Sequence, residues 1–193
     1  MRVLVLYCHP NPESYGAALH GAVVRSLTAR GHAVDDCDLY AEGFDPVLSR
    51  QERLGYHDLA GNTDPVADHV RRLRAAEALV LVFPVWNFGF PALLKGYFDR
   101  VFLPGVSFGL VDGRTQGMLS NIRRIGVVTT YGATWMRATL MGNPPRKFCT
   151  RSLRAITGFQ AAVTYRAHYD MNRATPATRS AFLTQVEAEF AGW

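Results

Sequence analysis

The chain of 193 residues has only three cysteines, Cys8, Cys37 and Cys149, far apart and without a Cys-x-x-Cys pair. That spacing excludes a disulfide framework and a cysteine zinc site, so no metal is expected and the thiols read as buried groups in a reducing compartment. Long apolar runs are missing too. The opening segment has five consecutive apolar residues, Val3 to Tyr7, before a polar turn. This is too short for the apolar region of an export signal and far too short to span a bilayer. No other segment approaches 18 uninterrupted apolar residues, and the expectation is a soluble, cytoplasmic protein without membrane insertion. Internal repeats, low-complexity tracts and linkers are also absent, so residues 1–193 read as one domain.

Acidic residues are the scarcer charge: 16 Asp and Glu face 21 Lys and Arg, for a net charge of +5. Arg137, Arg146, Lys147, Arg151 and Arg154 follow one another with no acid between them. A basic surface draws anions, whether nucleic acid or phosphorylated cofactors. The stretch has no interleaved aromatics and no DNA-binding motif, so nucleic acid is not expected as a partner.

Hydrophobic residues make up 48% of the chain, and they fall in strand-like runs separated by helical patterns. Val3 to Tyr7 reads as a strand buried on both faces. Leu19, Val23, Val24 and Leu27 predict a helix over Ala17–Arg30, capped by Ser14 or Gly16 and closed by Gly31. Ala33–Leu39 predicts a second strand, and 40–62 is a polar, turn-rich excursion. A helix follows from Thr63 or Asp64 to Glu77, a third strand over Ala78–Phe83, and a helix over Phe90–Phe102. Residues 105–121 read as loop, Ile125–Thr129 as a fourth strand, 146–156 as helix, Ala161–Arg166 as a fifth strand and Pro176–Phe190 as the last helix. Solid apolar strands alternating with helices predict a flavodoxin-like three-layer α/β sandwich, with a five-stranded parallel sheet in the order 2-1-3-4-5.

That order puts ligands at the carboxyl ends of strands 1, 3 and 4. After strand 1, Cys8 to Gly16 forms a polar loop opening onto a helix N-terminus, which suits phosphate, with His9 and Ser14 as added donors. After strand 3, Pro84-Val85-Trp86-Asn87-Phe88-Gly89-Phe90-Pro91 is stiff and aromatic, and offers flat surface and backbone groups to a planar heterocycle. After strand 4, Thr129-Thr130-Tyr131-Gly132 adds hydroxyls and a glycine.

Competing motifs fail in context. Gly105-Val106-Ser107-Phe108-Gly109 matches the serine-hydrolase elbow, but it follows a helix and precedes a loop instead of joining a strand to a helix. The loop after strand 1 has only Gly16 where a classical dinucleotide fold needs three glycines. Pro84 stands where a receiver domain would carry its aspartate.

Three segments carry a family resemblance: H-P-N-P-E-S-Y at 9–15, P-A-L-L-K-G-Y-F-D-R-V-F at 91–102 and T-T-Y-G at 129–132. In order and spacing they resemble the NAD(P)H:quinone oxidoreductase family, the diaphorase-type branch of the flavodoxin-like flavoproteins. The resemblance implies a homodimer with a tightly bound flavin, FAD or, as in shorter relatives, FMN. It would place His9, Ser14, Tyr15 and Gly16 at the phosphate and adenylate, Pro84, Val85, Trp86, Asn87 and Phe88 around the isoalloxazine, and Thr129, Thr130 and Gly132 at its pyrimidine side. It also implies a ping-pong transfer of hydride from NADPH or NADH to a small acceptor of quinone-like or other type, the chemistry being the cofactor's. The basic stretch at 137–154 favours NADPH. The chain departs from the family in having Asn87 where a Trp is usual, and Arg137 and Asn143 where a Tyr and a His assist hydride transfer. Arg137 and Asn143 are therefore the catalytic candidates, Arg137 as a stabiliser of anionic reduced flavin or a grip on a nucleotide phosphate or substrate carboxylate. The alternative is a flavodoxin-like redox-sensing or regulatory subunit without turnover.

Overall fold

A computed structural model describes all 193 residues. The strands and helices follow in the order β1 (Arg2–Tyr7), α1 (Tyr15–Ala29), β2 (Ala33–Asp38), α2 (Arg50–Leu54), α3 (Ala67–Ala75), β3 (Ala78–Val85), α4 (Ala92–Val101), β4 (Phe108–Val111), β5 (Arg114–Gly117), β6 (Arg124–Tyr131), α5 (Trp135–Leu140), α6 (Pro144–Lys147), α7 (Leu153–Ile156), β7 (Ala162–His168) and α8 (Pro176–Ala191). The main sheet is all parallel in the order β2-β1-β3-β6-β7. This is the expected 2-1-3-4-5 arrangement, because β4 and β5 form a separate antiparallel hairpin.

Burial explains the order. β1, β3 and β6 are almost wholly buried and occupy the centre. β2, with Asp35, Asp36 and Asp38, and β7, with Thr164, Arg166 and His168, keep polar positions that only edge strands tolerate. One face packs on α1 and α8 through Val3, Val5, Tyr7, Leu19, Val23, Val186 and Phe190. The opposite face packs on α3, α4 and the α6–α7 segment through Leu6, Leu81, Leu73, Leu94, Tyr97, Cys149 and Leu153.

Several local expectations are corrected. Residues 105–121 are not loop throughout, since β4 and β5 pair from Phe108↔Gly117 to Val111↔Arg114. The turn is made by Asp112 and Gly113, both at positive φ, the Asp-Gly pair that two-residue hairpin turns favour. The 63–77 helix starts with a 3-10 turn at Asp64–Val66 and its α-helical part is only Ala67–Ala75. The 146–156 helix begins at Pro144 and passes through a π-helical turn at Phe148–Ser152 before α7. The excursion at 40–62 contains α2, started by a Ser49–Glu52 capping box. Arg100 of α4, 9% exposed, anchors it through Glu52 at 2.6 Å. Gly96 lets α4 pass beneath the same excursion: a Cβ there would lie 2.3 Å from Pro46 Cβ. The fourth strand runs on to Tyr131, so Thr129 and Thr130 lie inside β6 and only Gly132 follows it.

Candidate functional site

The register aligns the ends of the three central strands and lets β3 and β6 run beyond β1. Tyr7 pairs with Val82, whereas Pro84 and Val85 pair only with Thr130 and Tyr131. Val82 turns its carbonyl toward β1, to the Cys8 N–H at 3.0 Å. Pro84, two residues on, turns the same way, and its missing N–H falls where β1 has already ended.

The first loop is closed by its own hydrogen bonds and opens onto the N-terminus of α1. The Asn11 N–H donates to His9 Nδ1 at 3.0 Å, and the same ring nitrogen lies 3.2 Å from the Asn11 carbonyl oxygen. The Asn11 side chain closes the next turn by accepting from Glu13 N–H at 2.8 Å. Ser14 Oγ accepts from Ala17 N–H at 3.0 Å and caps α1, leaving the first amides of the helix without an intrahelical acceptor. A Cβ on Gly16 would meet Ser14 Oγ at 3.4 Å and His9 Cδ2 at 3.5 Å, filling the cradle. Tyr15 is the first residue of α1. Its hydroxyl donates to the Arg179 carbonyl of α8 at 2.7 Å, and its ring meets His168 edge-on at 5.9 Å.

The second loop is the sharpest feature of the edge. Trp86 and Gly89 exchange both backbone hydrogen bonds, at 3.2 and 2.8 Å, around Asn87 and Phe88 at φ 49 and 59. This is a two-residue hairpin turn of the type that normally calls for Asn-Gly, and Asn87 suits it. Phe88 does not: a bulky side chain in the left-handed region is strained. Neither central amide has a protein acceptor, and Trp86 and Phe88 are 41% and 36% exposed. The chain thus holds two free N–H groups and two aromatic faces at the mouth of the sheet.

At the third position Thr129 is buried with its Oγ1 unpartnered, Thr130 is half-buried, and Gly132 is exposed and faces Asn172. Thr134 caps α5 by accepting from the Arg137 N–H at 3.3 Å. The Arg137 side chain is exposed and makes no ion pair.

Asn143 is only 8% exposed, in a left-handed conformation, and turned into a cluster of tyrosines that sequence reasoning missed. Its Oδ1 accepts from Tyr131 Oη at 2.7 Å, its Nδ2 donates to Tyr169 Oη at 3.4 Å, and Tyr131 and Tyr165 share a hydrogen bond at 2.6 Å. Since the Tyr131 proton goes to Asn143, Tyr165 donates to Tyr131. The Tyr131 and Tyr169 rings stack at 4.6 Å, and Arg146 lies 5.0 Å over Tyr165. Burial pushes the Tyr131 phenol up to about 12 and raises Tyr165 further, so both stay neutral donors at working pH. The signal was the spacing of Tyr165 and Tyr169, which puts both on one face of the last strand and its extension.

An open cleft of about 580 Å³ lies beside the second loop, between Gly89 and Phe90 on one side and Met141, Pro145, Lys147, Phe148 and Arg151 on the other. Ser107 of the hydrolase-like motif is buried after α4 and ahead of β4, remote from any strand-to-helix elbow. Of the sequence candidates, His9, Ser14, Gly16, Pro84, Val85, Trp86, Asn87, Phe88, Thr129, Thr130 and Gly132 all fall on the three loops or strand ends of one sheet edge.

The profile of a family described as having a flavodoxin-like fold matches residues 1–190. A ribosyldihydronicotinamide dehydrogenase-like protein of Penicillium crustosum is 33% identical over 156 residues, covering 68% of this chain and 58% of the relative. NAD(P)H dehydrogenase (quinone) 1 of Rattus norvegicus is 30% identical over 149 residues, covering 68% of this chain and 54% of the relative. The chain thus spans less than two thirds of the length of these relatives. The solved structure of Smu.1420 from Streptococcus mutans is similar over 100% of both chains, at 26% identity and a TM-score of 0.89.

Proposed function

The chain belongs to the family with the flavodoxin-like fold, and from that premise we propose that it is a flavin-dependent NAD(P)H oxidoreductase passing a hydride to a quinone-like or other small acceptor in two half-reactions. The observation that carries the reading is the Trp86–Gly89 turn, where strain at Phe88 holds two unpartnered amides and an aromatic face at a ligand-binding sheet edge. The names of the curated relatives, NAD(P)H and ribosyldihydronicotinamide dehydrogenases, support it.

The donor set fits a flavin nucleotide. His9, the Ser14 cap and the free amides at the start of α1 would hold the phosphate. The unpartnered amides of Asn87 and Phe88 would serve polar atoms of the ring, and the exposed Phe88 and Trp86 side chains would offer it apolar surface. Thr130 and Gly132 close the other side. A bound flavin supplies the two-electron hydride chemistry; the protein orients the ring and excludes water from one face. FAD is the first choice and FMN the second. NADPH is favoured over NADH by the cations near the cleft. A homodimer in the cytoplasm is the assembly and compartment we assign. Exposed Trp135, Met136 and Leu140 on α5 and Leu110 on the hairpin, 63 to 77% accessible, support a partner copy. No helix is long and apolar enough to cross a membrane.

The test is reconstitution with FAD and FMN, followed by anaerobic NADPH and then menadione. Stoichiometric flavin binding, bleaching by NADPH and recovery of colour on adding menadione are expected. A protein that retains neither flavin overturns the site, and one that retains flavin without bleaching overturns the enzyme.

A further inference from the structure

No Asp or Glu occurs between Asp112 and Asp170, and the fold brings the middle of that acid-free stretch to the wall of the cleft beside the Trp86–Gly89 turn. Lys147 and Arg151 line it, both exposed. Neither forms an ion pair, nor do the neighbouring Arg137, Arg146 and Arg154. Seven of the 21 Lys and Arg residues are ion-paired, among them Arg72 with Asp35 and Glu42, Lys95 with Asp99, Arg100 with Glu52 and Arg166 with Glu189; what sets Lys147 and Arg151 apart from the other unpaired cations is that they line this cleft. Arg146 is occupied by the Tyr165 ring, which leaves Lys147 and Arg151 as the free charges nearest the opening. The wall between them and the turn is apolar and flat-sided, formed by Phe90, Met141, Pro145 and Phe148.

We propose that Lys147 and Arg151 form an anion subsite, taking a phosphate, sulfonate or carboxylate group carried on a planar aromatic ring, or on a sugar attached to one, with the ring lying along that apolar wall. An apolar surface ending in unpaired cations selects molecules with one flat apolar part and one anionic end. An uncharged aromatic leaves both cations solvated and gains only the wall. The inference rests on the flavin-site reading, because it says what reaches that site. The anion has two possible sources, the 2′-phosphate of NADPH and an acidic substituent on the acceptor.

The flavin-loaded protein and the variants Lys147→Gln, Arg151→Gln and their combination separate these cases. Both side chains are on the surface, so folding is not at stake, and glutamine keeps much of the stem. Steady-state KM is measured for NADPH against NADH, and for anthraquinone-2-sulfonate against menadione. Equilibrium dialysis of anthraquinone-2-sulfonate gives a reading independent of turnover. The double variant should raise KM or Kd for the anionic member of a pair roughly tenfold or more, while moving the neutral or less charged member less than about twofold. Added salt should weaken wild-type binding of the sulfonate and leave menadione unaffected. Selective loss for NADPH assigns the subsite to the donor, and selective loss for the sulfonate assigns it to the acceptor. Equal loss across both members of each pair, or no change in any, overturns the subsite. Wild-type turnover of menadione tests the flavin-site reading separately, so the two can fail independently.

Discussion

Replacing Asn143 by alanine should destabilise the fold by about 2–4 kcal/mol, and the structure divides that figure into two parts. The first is a proton without an acceptor. Tyr165 donates to Tyr131 and Tyr131 donates to Asn143 Oδ1, so two hydroxyl protons share two acceptors in line. Removing Oδ1 leaves one of the two protons stranded in a region where Tyr131 is 1% exposed, at a cost of roughly 1–3 kcal/mol. The second part is backbone: Asn143 sits at φ 45, ψ 59, a conformation asparagine tolerates and alanine resists by about 1 kcal/mol. Glycine at 143 removes the amide and relieves the backbone, so Asn143→Gly should be milder than Asn143→Ala by about that second part. Urea unfolding followed by circular dichroism measures both, read as a shift in midpoint at constant slope. If Asn143→Ala stays within about 0.5 kcal/mol of wild type, the buried tyrosine network is not contributing as described. If Asn143→Gly costs as much as Asn143→Ala, the backbone part is wrong.

Phe88→Gly should stabilise the folded protein by about 1 kcal/mol while weakening flavin retention; a variant that is no more stable, or that keeps full flavin affinity, counts against strain held for binding. Gly96→Ala should cost about 3 kcal/mol and loosen the excursion at 40–62, which limited proteolysis would report as new cleavage there. Glu52 loses some charge preference to burial, but its bonds to Ser49 and Arg100 outweigh this and lower its pKa. Its stabilisation is therefore complete above the unfolded carboxylate range near about 4.3 and fades as pH falls through the lower folded value. Glu52→Gln should flatten the loss of stability between about pH 5 and 3, and an unchanged acid limb would refute the ion pair's role.

The parallel sheet was legible because the Val3–Leu6 part of β1, β3 and the Ile125–Val128 part of β6 carry no polar side chain, a pattern that a doubly covered strand needs. The site was legible where loop chemistry is local, as in the Ser14 cap and the aromatic turn at 86–89. Features that depend on distant partners were not. Nothing beside Tyr15 in the chain shows that its hydroxyl will find Arg179, 164 residues away. Spacing alone named Asn143 and said nothing of its surroundings, because its partners Tyr131, Tyr165 and Tyr169 come from β6, β7 and the residue beyond β7. The β4–β5 hairpin was missed because its strands are four residues long and largely exposed, so they carry no burial pattern.

Cys8, Cys37 and Cys149 are all fully buried, and burial raises each thiol, Cys8 to about 12 and the other two further. Alkylating agents attack the thiolate, and an accessible one at that. Quinone-type acceptors are themselves alkylating electrophiles. If the acceptor is of the proposed quinone type, none of the three thiols is offered to it as an accessible thiolate.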